Sequence, residues 1–89
     1  MRLSNKQIPE QWKAGLPARN YNNSFSTDGN YLYSYNQIVG ITLFNEKVLF
    51  DYSKQHFISQ TTSTHVGYAR EFADNIVSPE QEKAFMELI

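Results

Sequence analysis

Between Phe57 and Val66 the chain changes period. Phe57-Ile58-Ser59 reads as strand, Gln60-Thr61-Thr62-Ser63-Thr64 is a run of amide and hydroxyl side chains, and a helical pattern follows. The joint divides the chain into a sheet-like part before it and a helical part after it. A helix opens with four N–H groups that have no partner inside it, and Ser or Thr side chains accept hydrogen bonds from them. One of Thr61, Thr62, Ser63 and Thr64 is therefore expected as the N-cap, with the others in surplus. Together with His65 the surplus hydroxyls outline a seat for an anion, because free amides and the helix dipole attract negative charge. The plainer expectation is a capped helix with solvated hydroxyls. No glycine between Ser59 and Val66 would let a phosphate approach the backbone, which favours the plainer one.

Beyond the joint, Val66, Ala69, Phe72 or Ala73, and Ile76 recur at three- and four-residue steps. This spacing predicts a helix from about Ser63 to Asn75 whose apolar stripe lies on a sheet, with Arg70 and Asp74 paired on the solvent side. Ser78-Pro79-Glu80-Gln81 is a capping box with proline at the first helical position, and it announces a terminal helix ending at Ile89. Phe85, Leu88 and Ile89 give that short helix one apolar side. So short a helix is marginal alone and must dock on something.

Before the joint the signals are those of a sheet. Ser4 or Asn5 can cap a helix to about Ala14 that uses Ile8 and Trp12 on one face and stops at Gly15; Leu16 to Asn23 reads as irregular connection. Phe25-Ser26-Thr27 is a short strand, and Asp28-Gly29 marks a hairpin. In Tyr31-Leu32-Tyr33-Ser34-Tyr35 the three tyrosines alternate onto one face. After a turn at Asn36-Gln37, Ile38 to Phe44 is apolar on both sides, as in a central strand. Gly40 within it suggests a bulge or room for a neighbour's ring. Val48 to Tyr52 and His56 to Ser59 complete the set. The expected fold is α+β: one domain over residues 1–89, with an antiparallel sheet of four to five short strands. An N-terminal helix and two C-terminal helices pack on it.

Composition narrows the function. A chain of 89 residues buries only about 60–65% of its unfolded surface. Six Tyr, six Phe and one Trp can provide much of the missing burial. With no cysteine there is neither a disulfide nor a thiolate metal site, and His56 and His65 have no carboxylates at ligand spacing. No metal and no cofactor are expected. No apolar run approaches membrane-spanning length and no signal-peptide core follows Met1, which points to a soluble, intracellular protein.

The net charge of −1 argues against an electrostatic grip on nucleic acid. It is unevenly spread: Arg2, Lys6, Lys13 and Arg19 against Glu10 make the first nineteen residues +3. Residues 70–89 carry −3 through Glu71, Asp74, Glu80, Glu82 and Glu87 against Arg70 and Lys83. Such polarity can fold back on itself or face a basic partner. The tyrosines Tyr31, Tyr33 and Tyr35, together with Tyr52, form a candidate platform for stacking single-stranded bases. Yet only Lys47 and Lys54 are basic between residues 20 and 69, so packing or protein contact is the stronger reading. Candidate partner-binding residues are thus Tyr31, Tyr33, Tyr35, Glu71, Asp74, Glu80 and Glu82. Pairing His65 with Asp51 or Asp28 and nominating Ser59, Ser63 or Tyr52 as nucleophile is arithmetically possible, but no strained nucleophile turn surrounds any of them. No catalytic residue is assigned, and no enzyme activity is expected.

One pattern carries a resemblance. Thr27, Asp28, Gly29, Leu32, Ser34 and Tyr35, then Ile38 and Gly40, then Asp51 and Tyr52, then Ser59, Thr61, Thr62, Ser63, His65 and Val66 follow in a fixed order. This order resembles a small family of uncharacterised proteins carried mainly by tailed bacteriophages and prophages, over under half of the chain. The resemblance implies a shared fold and a viral context, with the host cytoplasm as the place of action. Small phage proteins without catalytic machinery often bind host protein complexes, including antiviral CRISPR effectors. The expected function is therefore a phage-encoded binding protein that inhibits such a complex, the alternative being a single-strand nucleic-acid-binding module. The terminal Phe85, Met86, Leu88 and Ile89, and the strand edges, also permit a homodimer.

Overall fold

The computed structural model describes residues 2–52 and 60–88. The last expected strand, His56 to Ser59, lies outside them. Among the described residues one sheet holds seven strands in sequence order: β1 (Arg2–Leu3), β2 (Pro17–Asn20), β3 (Phe25–Asp28), β4 (Leu32–Ser34), β5 (Gln37–Leu43), β6 (Glu46–Phe50) and β7 (Asn75–Val77). Strands β2 to β6 form an antiparallel meander, and β1 and β7 add to its two edges in parallel. Helix α1 (Gln7–Ala14) crosses from β1 to β2, and α2 (Gln60–Ala69) stands between β6 and β7. A short α3 (Glu82–Met86) follows β7. The α+β class holds; the expected four to five strands become seven, because β1, β2 and β7 were not foreseen.

The topology explains where the helices lie. Four antiparallel steps separate β2 from β6, so the two strands point the same way. Parallel strands joined by a helix almost always cross over right-handedly. Two crossovers of one hand between equally directed strands put both helices on the same face. Accordingly Ile8 and Trp12 of α1 and Val66 and Ala69 of α2 are buried together against Phe25, Leu32, Val39 and Leu49. The opposite face gathers Ile41, Val48 and Phe50, covered by Phe85 and Met86 of α3. The Phe85 ring meets Phe50 edge-on at 6.2 Å.

Strand β5 is apolar on both sides because it serves both cores, Val39 on the helix-covered face and Ile41 on the other. Its pairing with β4 slips between Leu32 and Tyr33: Leu32 faces Gly40 while Tyr33 faces Ile38. The extra residue resets the alternation, so Ile38 and Ile41, three apart, both serve the α3 face. Gly40 does both things expected of it. It sits at this bulge, and the Trp12 ring covers it so closely that a Cβ there would lie 2.7 Å from the ring carbon Cζ2.

Several local expectations need correction. Pro17–Asn20 is strand, not irregular connection, since its backbone pairs with β3 through Pro17↔Asp28 and Arg19↔Ser26. The first helix is capped by neither Ser4 nor Asn5: it begins at Gln7, and the Gln7 carboxamide oxygen accepts from the Ser4 N–H at 2.9 Å. Its end at Gly15 is as expected, with φ 75°. The turn after β4 is Tyr35-Asn36, because Gln37 already pairs with Ser34. The second long helix starts at Gln60 and ends at Ala69, followed by a 3-10 turn over Arg70–Phe72. Ile76 is therefore not on a helical stripe; it lies in β7 and is 42% exposed. Parallel pairing with β6 has overridden the helical period there. The Ser78 hydroxyl accepts from the Glu80 N–H at 3.3 Å and starts a 3-10 turn, Pro79–Gln81, before α3. No described helix is long and apolar enough to cross a membrane.

The charge polarity of the two ends does fold back. Lys13 of α1 bonds Asp74 at 2.9 Å, and Arg70 pairs with Asp51 rather than with Asp74. At the other end of the sheet the buried Asn20 is a knot. Its amide donates to Asn5 Oδ1 at 2.7 Å and to Ser24 Oγ at 2.9 Å, and its oxygen accepts the Phe25 N–H at 3.2 Å. Asn20→Ala leaves those groups unsatisfied, and a loss of about 1–2 kcal/mol is expected. Urea unfolding checks the loss, and amide exchange at Phe25 should accelerate; unchanged exchange there would show that the knot does not hold the turn.

Candidate functional site

The Thr61–His65 joint is where the sequence concentrates polar side chains, and the structure splits it. Because α2 already runs from Gln60, Thr61 to Thr64 occupy its first turn instead of its cap. Thr61 and Thr64 point outward, whereas Thr62 and His65 are buried. Opposite them on β4 is Ser34, also buried. The Ser34 hydroxyl donates to Thr62 Oγ1 at 2.9 Å and lies 2.8 Å from His65 Nδ1. The imidazole stacks flat on Phe25, ring centres 4.2 Å apart and planes 2° from parallel. The Tyr35 ring stands at 6.3 Å.

A hydroxyl hydrogen-bonded to an imidazole is half of a nucleophile–base arrangement. Here it is sealed: Ser34 and His65 are 0% exposed and Thr62 is 3% exposed. Neither Asp51, paired with Arg70, nor Asp28, which caps the β3–β4 turn through the Asn30 and Tyr31 N–H groups, orients the ring. His65 Nε2 has no hydrogen-bond partner among the described residues. Burial holds the imidazole below its ordinary value, so the ring is neutral near pH 7. Ser34 and His65 are 31 positions apart, so no local motif joins them. A period-two reading of Leu32 and Ser34 onto one face, with the helix laid over that face, would have brought them together.

The tyrosine row is broken in two. Tyr31 and Tyr33 remain on one side of the sheet with ring centres 6.1 Å apart, and Tyr31 packs partly against the α3-side core. Tyr35 has φ 57° and has left the row to stand by His65. Burial raises the Tyr33 hydroxyl above its ordinary value, with Asp28 and Tyr31 adding to the shift. Tyr52 lies farther along the chain, half-buried: it donates to Glu82 at 2.9 Å and accepts from Gln37 at 3.1 Å. Burial and that bond raise its hydroxyl strongly.

The acidic candidates are equally divided. Asp74 is used internally, accepting from Lys13 and from the Lys47 N–H, which together hold its carboxyl below the ordinary range. Glu82 is engaged by Tyr52. Glu71 and Glu80 are exposed. Lys47, one of the two lysines between residues 20 and 69, is buried. Its amine donates to Thr42 Oγ1 at 2.6 Å and to the Gly29 carbonyl at 3.2 Å, above the Trp12 ring. Burial first, and Lys13 second, lower it from its ordinary value.

Sequence reasoning overlooked the rings that water does reach. Phe44 is 83% exposed and Tyr21 71% exposed, at opposite ends of the sheet. The described residues contain no group of three His, Cys, Asp or Glu able to hold a metal ion. A groove of 370 Å³ runs between α3 and the start of β5, lined by Gln37, Ile38, Glu82 and Met86, and it holds one of the expected partner-binding residues, Glu82. Comparison of the chain with family models, curated proteins and solved structures finds no match.

Proposed function

We propose that this chain is a small binding protein that covers part of a host protein complex, in the manner of a phage counter-defence factor such as an inhibitor of a CRISPR effector. The observation that carries the reading is the placement of side chains. The Ser34 and Thr62 hydroxyls and the His65 imidazole are enclosed, while Phe44 and Tyr35 stand in water. Aromatic rings at a surface contribute large contact area with few rotatable bonds, which suits recognition. The exposed Glu71 and Glu80 would complement a basic groove of the kind that holds nucleic acid. The resemblance read from the sequence of residues 27–66 supports a viral setting for this proposal. The single-strand-binding alternative has weaker support, since a stacking platform needs free ring faces in a row and Tyr31 and Tyr35 are drawn off in different directions.

The test is affinity capture from host lysate at physiological salt, with the partner identified by mass spectrometry. A stoichiometric host polypeptide is expected, weakened when Glu71→Lys and Glu80→Lys are combined. Capture of nothing above background would remove the reading; retention of RNA or DNA in place of a polypeptide would move it to the alternative.

A further inference from the structure

Phe44 is the first residue of the two-residue loop that joins β5 to β6, with Leu43 and Glu46 paired on either side. Phe44 and Asn45 both have positive φ, 52° and 66°. Loops of this kind favour Asn, Asp or Gly, because in the left-handed region a Cβ crowds the following carbonyl. Asn45 obeys that preference and Phe44 does not. A bulky residue there is a strained choice, and it is not offset by burial: the ring is 83% exposed and belongs to neither apolar core. Tyr35 is a useful contrast. It too has a positive φ, but its ring stands beside His65, so the fold makes use of it. Strain of this sort, kept where packing gains nothing, points to a role outside the fold.

We propose that Phe44 is the anchor with which the protein enters an apolar pocket on a partner protein, an inference that rests on the binding role proposed above. The surroundings of the ring select that partner. Asn45 is neutral and Glu46 is acidic; the Lys47 amine is tied inward to Thr42 and Gly29, and Lys13 is paired with Asp74. The tip thus brings no unpaired cation among these residues to a phosphate backbone or an anionic lipid surface, both of which depend on such charge. A narrow loop that presents one ring fits a concave apolar site.

Phe44→Asn separates the fold from the anchor, because the two respond in opposite directions. Relief of the left-handed strain should raise Tm by about 4 °C or more. Capture of the host polypeptide should fall by about tenfold or more, the loss typical of a buried aromatic anchor. With p-benzoylphenylalanine at position 44, irradiation should link that same polypeptide, and the same probe at position 21, at the far end of the sheet, should not. Undiminished capture by Phe44→Asn overturns the anchor and leaves the binding role standing. A lower Tm overturns it as well, by showing that the ring supports the fold. Sedimentation of the protein with phosphatidylcholine vesicles, lost in Phe44→Asn, would place the ring in a bilayer and overturn the pocket. Capture of no polypeptide by the wild type removes both proposals.

Discussion

Gly40→Ala should destabilise the protein by about 1–3 kcal/mol, the range for forcing a methyl group into a filled site. That sign is unusual for a strand. Glycine in a strand interior is ordinarily the weaker residue, so alanine would normally be neutral or better. Here the new methyl would lie 2.7 Å and 3.0 Å from two carbons of the Trp12 ring and 3.2 Å from the Leu32 Cβ. The ring cannot easily retreat, because its Nε1 donates to the Asn30 carbonyl at 3.0 Å and the Lys47 amine sits 5.7 Å from the ring centre. Trp12→Ala, which empties the centre of the helix-covered core, should cost more, about 3–5 kcal/mol. The decisive measurement is a double-mutant cycle by guanidinium unfolding. In a Trp12→Phe background the outer ring atoms are gone, and the penalty of Gly40→Ala should shrink by about 1 kcal/mol or more. Equal penalties in the two backgrounds would show that the ring does not rest on Gly40.

That contact was half legible beforehand. A glycine inside an apolar strand implies either a bulge or a visiting ring, and Trp12 was already assigned a buried helical face. What a sequence cannot express is which ring visits, since α1 and β5 meet only through the sheet order. The meander was readable for a similar reason: Asp28-Gly29 and the alternation around Tyr33 are local chemistry. The edges β1, β2 and β7 were not, because strands of two to four residues carry too few positions to show a period. Arg19 and Asn20 look like loop formers until the backbone of β3 pairs with them. Ile76 was misplaced by the opposite error. It continues the spacing of Val66 and Ala69, yet the helix ends at Ala69 and a 3-10 turn leads out to an edge strand. The polar joint showed the limit for function. Four hydroxyl residues in a row predict a helix start, but the side each faces depends on the starting residue, here Gln60. That offset puts Thr62 and His65 inside.

Acidifying the protein from about pH 7.5 to about pH 5 should cost stability through His65, because an imidazolium in that site would be a buried charge without a counter-ion. Among the described residues, Phe25 of β3, Ser34 of β4 and Tyr35 after it face the ring, and Thr62 on its own helix bonds Ser34; none of these is a carboxylate. Ser34, whose proton goes to Thr62, accepts from Nδ1–H, but no described group answers a proton on Nε2. Burial therefore holds the native value below the 6.5 of a free imidazole. A depressed native value means that the unfolded chain binds the proton first. Stability is whole above about pH 6.5, falls by about 1.4 kcal/mol for each pH unit below it, and levels off once the native ring also titrates. For a domain of this size that slope is roughly 6–11 °C of Tm per unit. Carboxylates held below their ordinary range, such as Asp74 beside Lys13, add their own loss only at lower pH. The informative quantity is the difference between the wild type and His65→Leu. The variant keeps the Ser34–Thr62 bond and an apolar partner for Phe25, and its Tm should be nearly flat where the wild type slopes. Parallel curves through pH 6 would mean that the ring finds a proton acceptor, and that the enclosed cluster is open to solvent or to charge.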